Sequence, residues 1–148
     1  MAAQTLQFIA LLSTTMYTGA SAYASLVEHP ARLACGTTLA TQVFPHSYRR
    51  AIMLMFTLVL VATISSLGVW TYDDRTIWFV GSVAVFAIIP FTILAITPLL
   101  SELLEEGPDL EEARANLLLR RWGLLNNVRS LLGLTASALF LYATLVPV

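Results

Sequence analysis

Arg129 is the residue whose position in this sequence points most clearly to chemistry. It lies inside an apolar run, where a cation is costly unless it is paired or faces a cavity. Trp122, Asn126 and Arg129 are spaced i, i+4 and i+7, which places their side chains on one face of a helix. We expect that face to point into the protein, with Glu28 or Glu102 as the carboxylate partner of Arg129. The alternative is that Arg129 extends to lipid headgroups with its stem packed on lipid.

Glu28 and His29 are adjacent residues suited to proton transfer. A histidine titrates near neutrality, so beside a carboxylate it can act as a general base. His29 and His46 could instead ligate a haem or a metal, or be interfacial residues, but no third ligand stands at helical spacing from them. We therefore predict proton transfer at this site, with no metal ion.

Further polar and aromatic residues lie near these positions, at the ends of the apolar stretches. Their charges, hydroxyl groups and ring faces suit contact with a bound molecule. We predict a substrate-binding set consisting of Arg32, Tyr48, Glu102 and Trp122.

The composition indicates that these residues are held in a membrane. Of the 148 residues, 57% are hydrophobic and 11% are charged, whereas soluble domains carry about 25% charged residues. A soluble fold of this length would leave much of that apolar surface in water. Membrane lipid is therefore the expected solvent.

Four apolar stretches approach the length of about 20 residues that a membrane-spanning helix needs. The predicted fold is all-α, with four transmembrane helices bundled in one domain, residues 1–148. Six serine and threonine residues interrupt the first stretch, and because such residues allow close helix packing we expect it to face the interior. A cleavable signal peptide is the alternative there, but a basic n-region is missing. The predicted helices cover approximately residues 5–28, 48–71, 76–104 and 121–146.

The arginines predict the orientation of the bundle. Three lie between the first and second helices and three between the third and fourth, whereas the intervening turn has only Arg75. By the positive-inside rule, both termini should lie on the non-cytoplasmic side. The loop between the third and fourth helices is acidic and contains Gly107 and Pro108, and residues 111–121 predict a short amphipathic helix at the membrane surface.

Charge and cysteine content exclude several classes of protein. The net charge is −1 and there is no lysine, so no basic run indicates nucleic acid. The single cysteine, Cys35, permits no intrachain disulfide and no thiolate metal cage. The first three helices have no ionisable residue near the bilayer centre, which argues against ion-coupled transport.

Two classes of function remain. The first is an enzyme that acts on a lipophilic small molecule. The second is a non-enzymatic membrane protein, either an accessory subunit of a larger membrane complex or a small transporter. Assembly as a homo-oligomer is compatible with either class.

Four segments of the chain form a pattern that covers nearly its whole length. They are GASAYASLVEHPAR at 19–32, SYRR at 47–50, Pro98 with Leu103, and RWGLLNNVRS at 121–130. In this order and spacing, they resemble the anthrone oxygenase-like integral membrane proteins, a family whose members are mostly of unknown function.

The resemblance implies oxidation of an anthrone or polycyclic phenol to a quinone with molecular oxygen, without metal or flavin. Many relatives have histidine or asparagine at the position of Asn126, followed three residues later by the arginine matched here by Arg129. Since this chain has the asparagine, the resemblance leaves the role of base either to His29, with Glu28 orienting it, or to no residue. Arg129 and Asn126 would then stabilise the developing oxyanion.

Overall fold

Four long helices make up the part of the chain that the structure describes. The computed structural model describes residues 1–105 and 109–146, and in these residues it contains helices and no strands. α1 covers residues 2–34, α2 is Thr37–Asp73, α3 is Thr76–Glu105 and α4 is Glu112–Leu145. The predicted all-α fold with four helices is confirmed.

α2 begins about ten residues earlier than predicted. The break after α1 falls at Gly36, whose φ of 95° lies in the left-handed region that favours glycine. The helix then runs for 37 residues from Thr37 and includes Pro45. The predicted helix began near residue 48, close to the start of the apolar stretch, whereas the helix extends through the more polar residues before it.

The predicted short amphipathic helix is not a separate element. Its residues are helical, but they form the first part of α4, which continues without interruption for 34 residues. Alanine, leucine and arginine fill this stretch, and all three favour helix. Gly107 and Pro108, which were predicted to interrupt the preceding loop, lie outside the described residues.

α1 and α3 each contain a π-helical turn just before a proline. In α1 the turn is Ala24–Glu28 and Pro30 follows; in α3 it is Thr92–Ile96 and Pro98 follows. Proline lacks an N–H group and its ring clashes with the carbonyl group four residues earlier, so a wider turn accommodates it. Such turns are frequent at functional sites.

The four helices pack as an up-and-down bundle. α1 and α3 each pack against both α2 and α4. This arrangement brings the end of α1, the start of α2, the end of α3 and the start of α4 to the same end of the molecule. One part of the core contains Trp78 stacked on Phe140 near the α2–α3 turn, and a second contains Phe44, Leu119 and Trp122 at the other end.

α1 buries its hydroxyl-bearing face, as predicted. Ser21 is fully buried, and its hydroxyl lies 2.8 Å from that of Ser130 in α4. One turn earlier, the hydroxyl of Thr18 lies 3.1 Å from that of Ser137. Small hydroxyl side chains therefore hold α1 close to α4.

Three of the helices are long and apolar enough to cross a membrane. These are α2, α3 and α4, with 37, 30 and 34 residues. α1 is not among them, although it packs beside α2 and α4. The three apolar helices are compatible with an integral membrane protein.

Candidate functional site

Arg129 is buried near the middle of α4 and faces the interior of the bundle. It is 2% exposed. Its Nε atom donates a hydrogen bond to the hydroxyl of Tyr17 in α1 at 3.1 Å, and Nη2 lies 3.5 Å from the sulfur of Met55 in α2. At a rise of ~1.5 Å per residue, Arg129 lies about 24 Å from the end of α4 at Leu145. The guanidinium is thus inside the bundle and does not extend to lipid headgroups.

The expected carboxylate partner of Arg129 is absent from the part of the chain that the structure describes. Glu28 pairs with Arg32, which lies one helical turn later. Glu102 accepts two hydrogen bonds from Arg114, at 2.6 and 2.8 Å. The prediction that Glu28 or Glu102 neutralises Arg129 is therefore wrong, because each carboxylate has an arginine closer at hand. The polar contacts described for Arg129 are with a hydroxyl group and a thioether.

Trp122 and Asn126 share the buried face with Arg129, as their spacing predicts. They are 5% and 1% exposed. The side-chain amide of Asn126 donates to the main-chain carbonyl of Ser21 at 3.2 Å and to the hydroxyl of Ser25 at 2.7 Å. Both amide hydrogens are therefore used to attach α4 to α1 beside the π-helical turn of α1.

Two cavities share a wall formed by Tyr48, Ile52, Met55 and Arg129. The small cavity, of about 70 Å³, lies between α1, α2 and α4. The large cavity, of about 200 Å³, lies between α2 and α3 and also reaches Tyr17. Since the wall residues line both cavities, Arg129 faces each of them.

The small cavity combines charged and aromatic side chains. The Arg32 side chain is 8% exposed; it contacts Glu28 and donates a hydrogen bond to the hydroxyl of Ser47 at 2.9 Å. Among the described residues, its Nη1 atom has no hydrogen-bond partner. The guanidinium carbon lies 5.2 Å from the ring centre of Phe44, which stacks on Tyr48 at 5.6 Å. The cavity therefore presents an N–H donor beside aromatic walls.

The large cavity is lined mainly by aliphatic side chains and opens between α2 and α3. Phe56, Ile93 and Thr97 line it and are exposed at the outer surface. The helices on either side of this opening are two of the three that are apolar enough to cross a membrane. The opening therefore faces the surface of the bundle that suits contact with lipid.

His29 lies outside both cavities. It is 4% exposed, and its ring packs against Trp122 with the ring centres 4.8 Å apart. It also covers Gly123, where an added Cβ atom would come within 2.8 Å of the imidazole. His29 follows the apolar part of α1; burial, and then the charge of Arg32, lower the pKa of the imidazole. The imidazole thus packs against the start of α4 with its pKa lowered.

The predicted substrate-binding residues are only partly brought together. Arg32, Tyr48 and Trp122 line the small cavity, whereas Glu102 lies at the end of α3 beside Arg114 and lines neither cavity. Within the described ranges, no three histidine, cysteine, aspartate or glutamate side chains lie close enough to hold a metal ion together.

Tyr17 and Met55 are site residues that sequence reasoning missed. Met55 is one apolar residue among many in α2, so its sequence position carries no signal. Tyr17 could have been found, because Ser13, Tyr17 and Ser21 are spaced by four residues and all three are buried on one face of α1. A hydroxyl-bearing aromatic on that face is positioned to meet a polar group of α4.

Comparison with known proteins identifies the family of the chain. A sequence model of the family described as anthrone oxygenase matches residues 44–139. The match includes Tyr48, Met55 and Arg129, and it lies C-terminal to Glu28 and His29. No curated protein and no solved structure matches the chain.

Proposed function

This chain belongs to the anthrone oxygenase family, and from that premise we propose that it oxidises a lipophilic anthrone to an anthraquinone with molecular oxygen. The methylene carbon of the anthrone becomes a carbonyl carbon. One atom of dioxygen supplies the new carbonyl oxygen, and the other leaves in water. The carbon atom provides all the electrons that dioxygen accepts, so the reaction consumes no separate reductant.

This proposal rests on the guanidinium of Arg129, which is buried and whose described hydrogen-bond partners, Tyr17 and Met55, are neutral. A buried cation without a counter-ion favours formation of an anion beside it. An anthrone that loses a methylene proton becomes such an anion, an enolate. Arg129 stabilises the enolate oxygen, and Tyr17 assists because its hydroxyl accepts from Arg129 and keeps its own hydrogen for donation.

Glu28 is the carboxylate that lines the small cavity beside Arg129, and we assign it removal of the methylene proton. A carboxylate is an adequate base for this step when hydrogen-bond donors stabilise the enolate. Met55 forms part of the wall between the cavities, and its flexible side chain can move aside. The methylene group then reaches Glu28 directly or through one water molecule.

Asn126 and His29 act on the site indirectly, because they hold α1 and α4 together. Asn126 attaches the π-helical turn of α1, and with it Glu28, to α4. His29 packs against Trp122 and Gly123 and fixes the same contact from the other side. Both are positioning residues in this proposal, and the role of base passes from His29 to Glu28.

The membrane supplies the substrate in this proposal. An anthrone is a greasy fused-ring molecule that concentrates in the bilayer, and the large cavity opens between two apolar helices. α1 crosses the membrane with the other three helices because it packs alongside α2 and α4. The arginine distribution supports an orientation with both termini on the non-cytoplasmic side.

Turnover of a hydroxylated anthrone by the detergent-purified protein tests the proposal. Quinone formation is followed by absorbance, with dioxygen uptake measured in parallel. We expect Arg129→Gln to lower the rate by about 10²–10³, the usual effect of removing an oxyanion donor. Arg120→Gln is the matched control, since Arg120 is exposed on the same helix. A wild-type rate no higher than the uncatalysed oxidation would contradict the proposal.

A further inference from the structure

We infer that the small cavity is the dioxygen site of this reaction and that the large cavity holds the fused rings. This inference rests on the proposed function. A cavity of about 70 Å³ accommodates a diatomic molecule or a few waters, whereas fused aromatic rings need more space. The large cavity, of about 200 Å³, is also the one that opens between α2 and α3.

The walls of the small cavity suit both dioxygen and the anion that it becomes. Ala51, Ile52 and Phe44 provide apolar surface for a neutral diatomic molecule. Arg32 reaches the cavity from α1, and Arg129 reaches it from α4. The carboxylate of Glu28, paired with Arg32, also lines this cavity. Once Glu28 has taken up the methylene proton, the two guanidinium groups favour the reduced, negatively charged form of dioxygen over neutral dioxygen.

The position of Arg129 in the shared wall matches the movement of charge in the reaction. The electron pair of the enolate forms a bond between the methylene carbon and dioxygen, so the negative charge passes to the terminal peroxide oxygen. Arg129 borders both cavities and therefore stays near the charge before and after this step. The Nη1 group of Arg32, which has no partner among the described residues, can donate to the peroxide oxygen.

The remaining steps transfer protons through Glu28 and convert the peroxide to the quinone and water. Glu28, protonated in the first step, gives its proton to the peroxide. It then removes the second hydrogen of the same carbon as a proton while the O–O bond breaks. The carbon becomes the carbonyl of the quinone, and the hydroxide that leaves takes up that proton to form water.

Filling the small cavity tests this assignment. Ala51 lines the small cavity and not the large one, so Ala51→Leu removes space for dioxygen and leaves the space for the fused rings unchanged. We expect KM for dioxygen to rise several-fold with KM for the anthrone unchanged. Ile89→Phe, in the large cavity, should have the opposite effect, and Ala138→Leu, at an exposed position of α4, should change neither.

Xenon provides a second measurement that needs no variant. Xenon enters small cavities with apolar walls. At a saturating concentration of the anthrone the large cavity is occupied, so the small cavity remains open to xenon. We expect inhibition by xenon that is competitive with dioxygen. If Ala51→Leu instead raises KM for the anthrone, the small cavity holds part of the substrate and the inference is wrong. Absence of competition by xenon at saturating anthrone would also overturn it, whereas absence of any turnover removes the proposed function itself.

Discussion

Arg129 is held by neutral groups, and this determines what a bound substrate contributes. Removing a guanidinium from water is costly, and a hydroxyl and a thioether offset that cost only in part. In the proposed reaction, an enolate beside Arg129 supplies a negative charge that the described partners of Arg129 do not. The uncompensated charge of Arg129 destabilises the empty site. The same charge therefore favours ionisation of a substrate bound beside it.

The roles of Glu28 and His29 can be separated by replacing each of them with glutamine. Glu28→Gln removes the base that lines the cavity, so we expect kcat to fall by about 10²–10⁴. His29→Gln removes a ring that lies outside both cavities, so we expect it to retain most of its kcat and to lose thermal stability instead.

Steady-state kinetics and thermal unfolding of both variants provide the comparison. Folded His29→Gln protein without turnover, beside an active Glu28→Gln variant, would return the role of base to His29. Glu112→Gln, which replaces an exposed carboxylate at the start of α4, provides the matched control and should change neither property.

Sequence spacing revealed the buried face of α4 but not the partners of its residues. Trp122, Asn126 and Arg129 recur at helical intervals, and that periodicity depends on one helix only. The partner of Arg129 depends on how α1 and α2 pack against α4, because contacts between helices are set by three-dimensional packing. Glu28 was predicted to pair with Arg129, but Arg32 lies one turn away on the same helix and forms the ion pair with Glu28 instead.

Close helix contacts fix the position of Tyr17, the hydrogen-bond partner of Arg129. Gly133 in α4 lies against α1, where an added Cβ atom would come within 2.7 Å of the Thr18 hydroxyl and 3.1 Å of the Tyr17 ring. The absence of a side chain at Gly133 therefore allows the two helices to approach and directs Tyr17 toward Arg129.

Gly133→Ala should move Tyr17 away from Arg129 and lower kcat about tenfold, which corresponds to partial loss of one charge-assisted hydrogen bond. Gly19→Ala is the matched control, since a Cβ atom there meets nothing within 4 Å. The two variants are compared by kcat and by thermal unfolding. Equal activity of both would show that the approach of α1 at Gly133 does not position the site.

α2 and α4 each extend beyond the apolar stretch from which they were predicted. Pro45 lies inside α2, and the residues predicted as a loop helix continue directly into α4. Sequence patterns identified the apolar middle of each helix but not its polar extension, because hydropathy detects contact with lipid and not helical hydrogen bonding. The π-helical turns were equally hidden, although Pro30 and Pro98 mark where each occurs.

The overall architecture was the feature most easily predicted from the sequence. Composition and four apolar stretches predict an all-α bundle, since short antiparallel connections leave few other arrangements. The cavities were not predictable, because their volume depends on how side chains from three or four helices meet. The orientation of the bundle in the membrane is a prediction from arginine counts and is open to direct test.

Cys35 is a natural probe of that orientation. It is the only cysteine, it is exposed, and it lies between α1 and α2 at the end predicted to be cytoplasmic. We expect a membrane-impermeant maleimide to label it only after the membrane is opened. Asp74→Cys in a Cys35→Ser background is the control, because the α2–α3 turn should be labelled in intact cells. Labelling of Cys35 in intact cells would reverse the orientation.

Stabilisation of an enolate by Arg129 is the central claim, and the absorbance spectrum of a bound anthrone without oxygen tests it most directly. The enolate and the neutral anthrone absorb at different wavelengths, so their ratio reports the ionisation of the bound molecule. We predict that wild-type protein under anaerobic conditions shifts the anthrone toward its enolate, and that Arg129→Gln binds it in the neutral form. The same enolate fraction in both proteins would contradict the account.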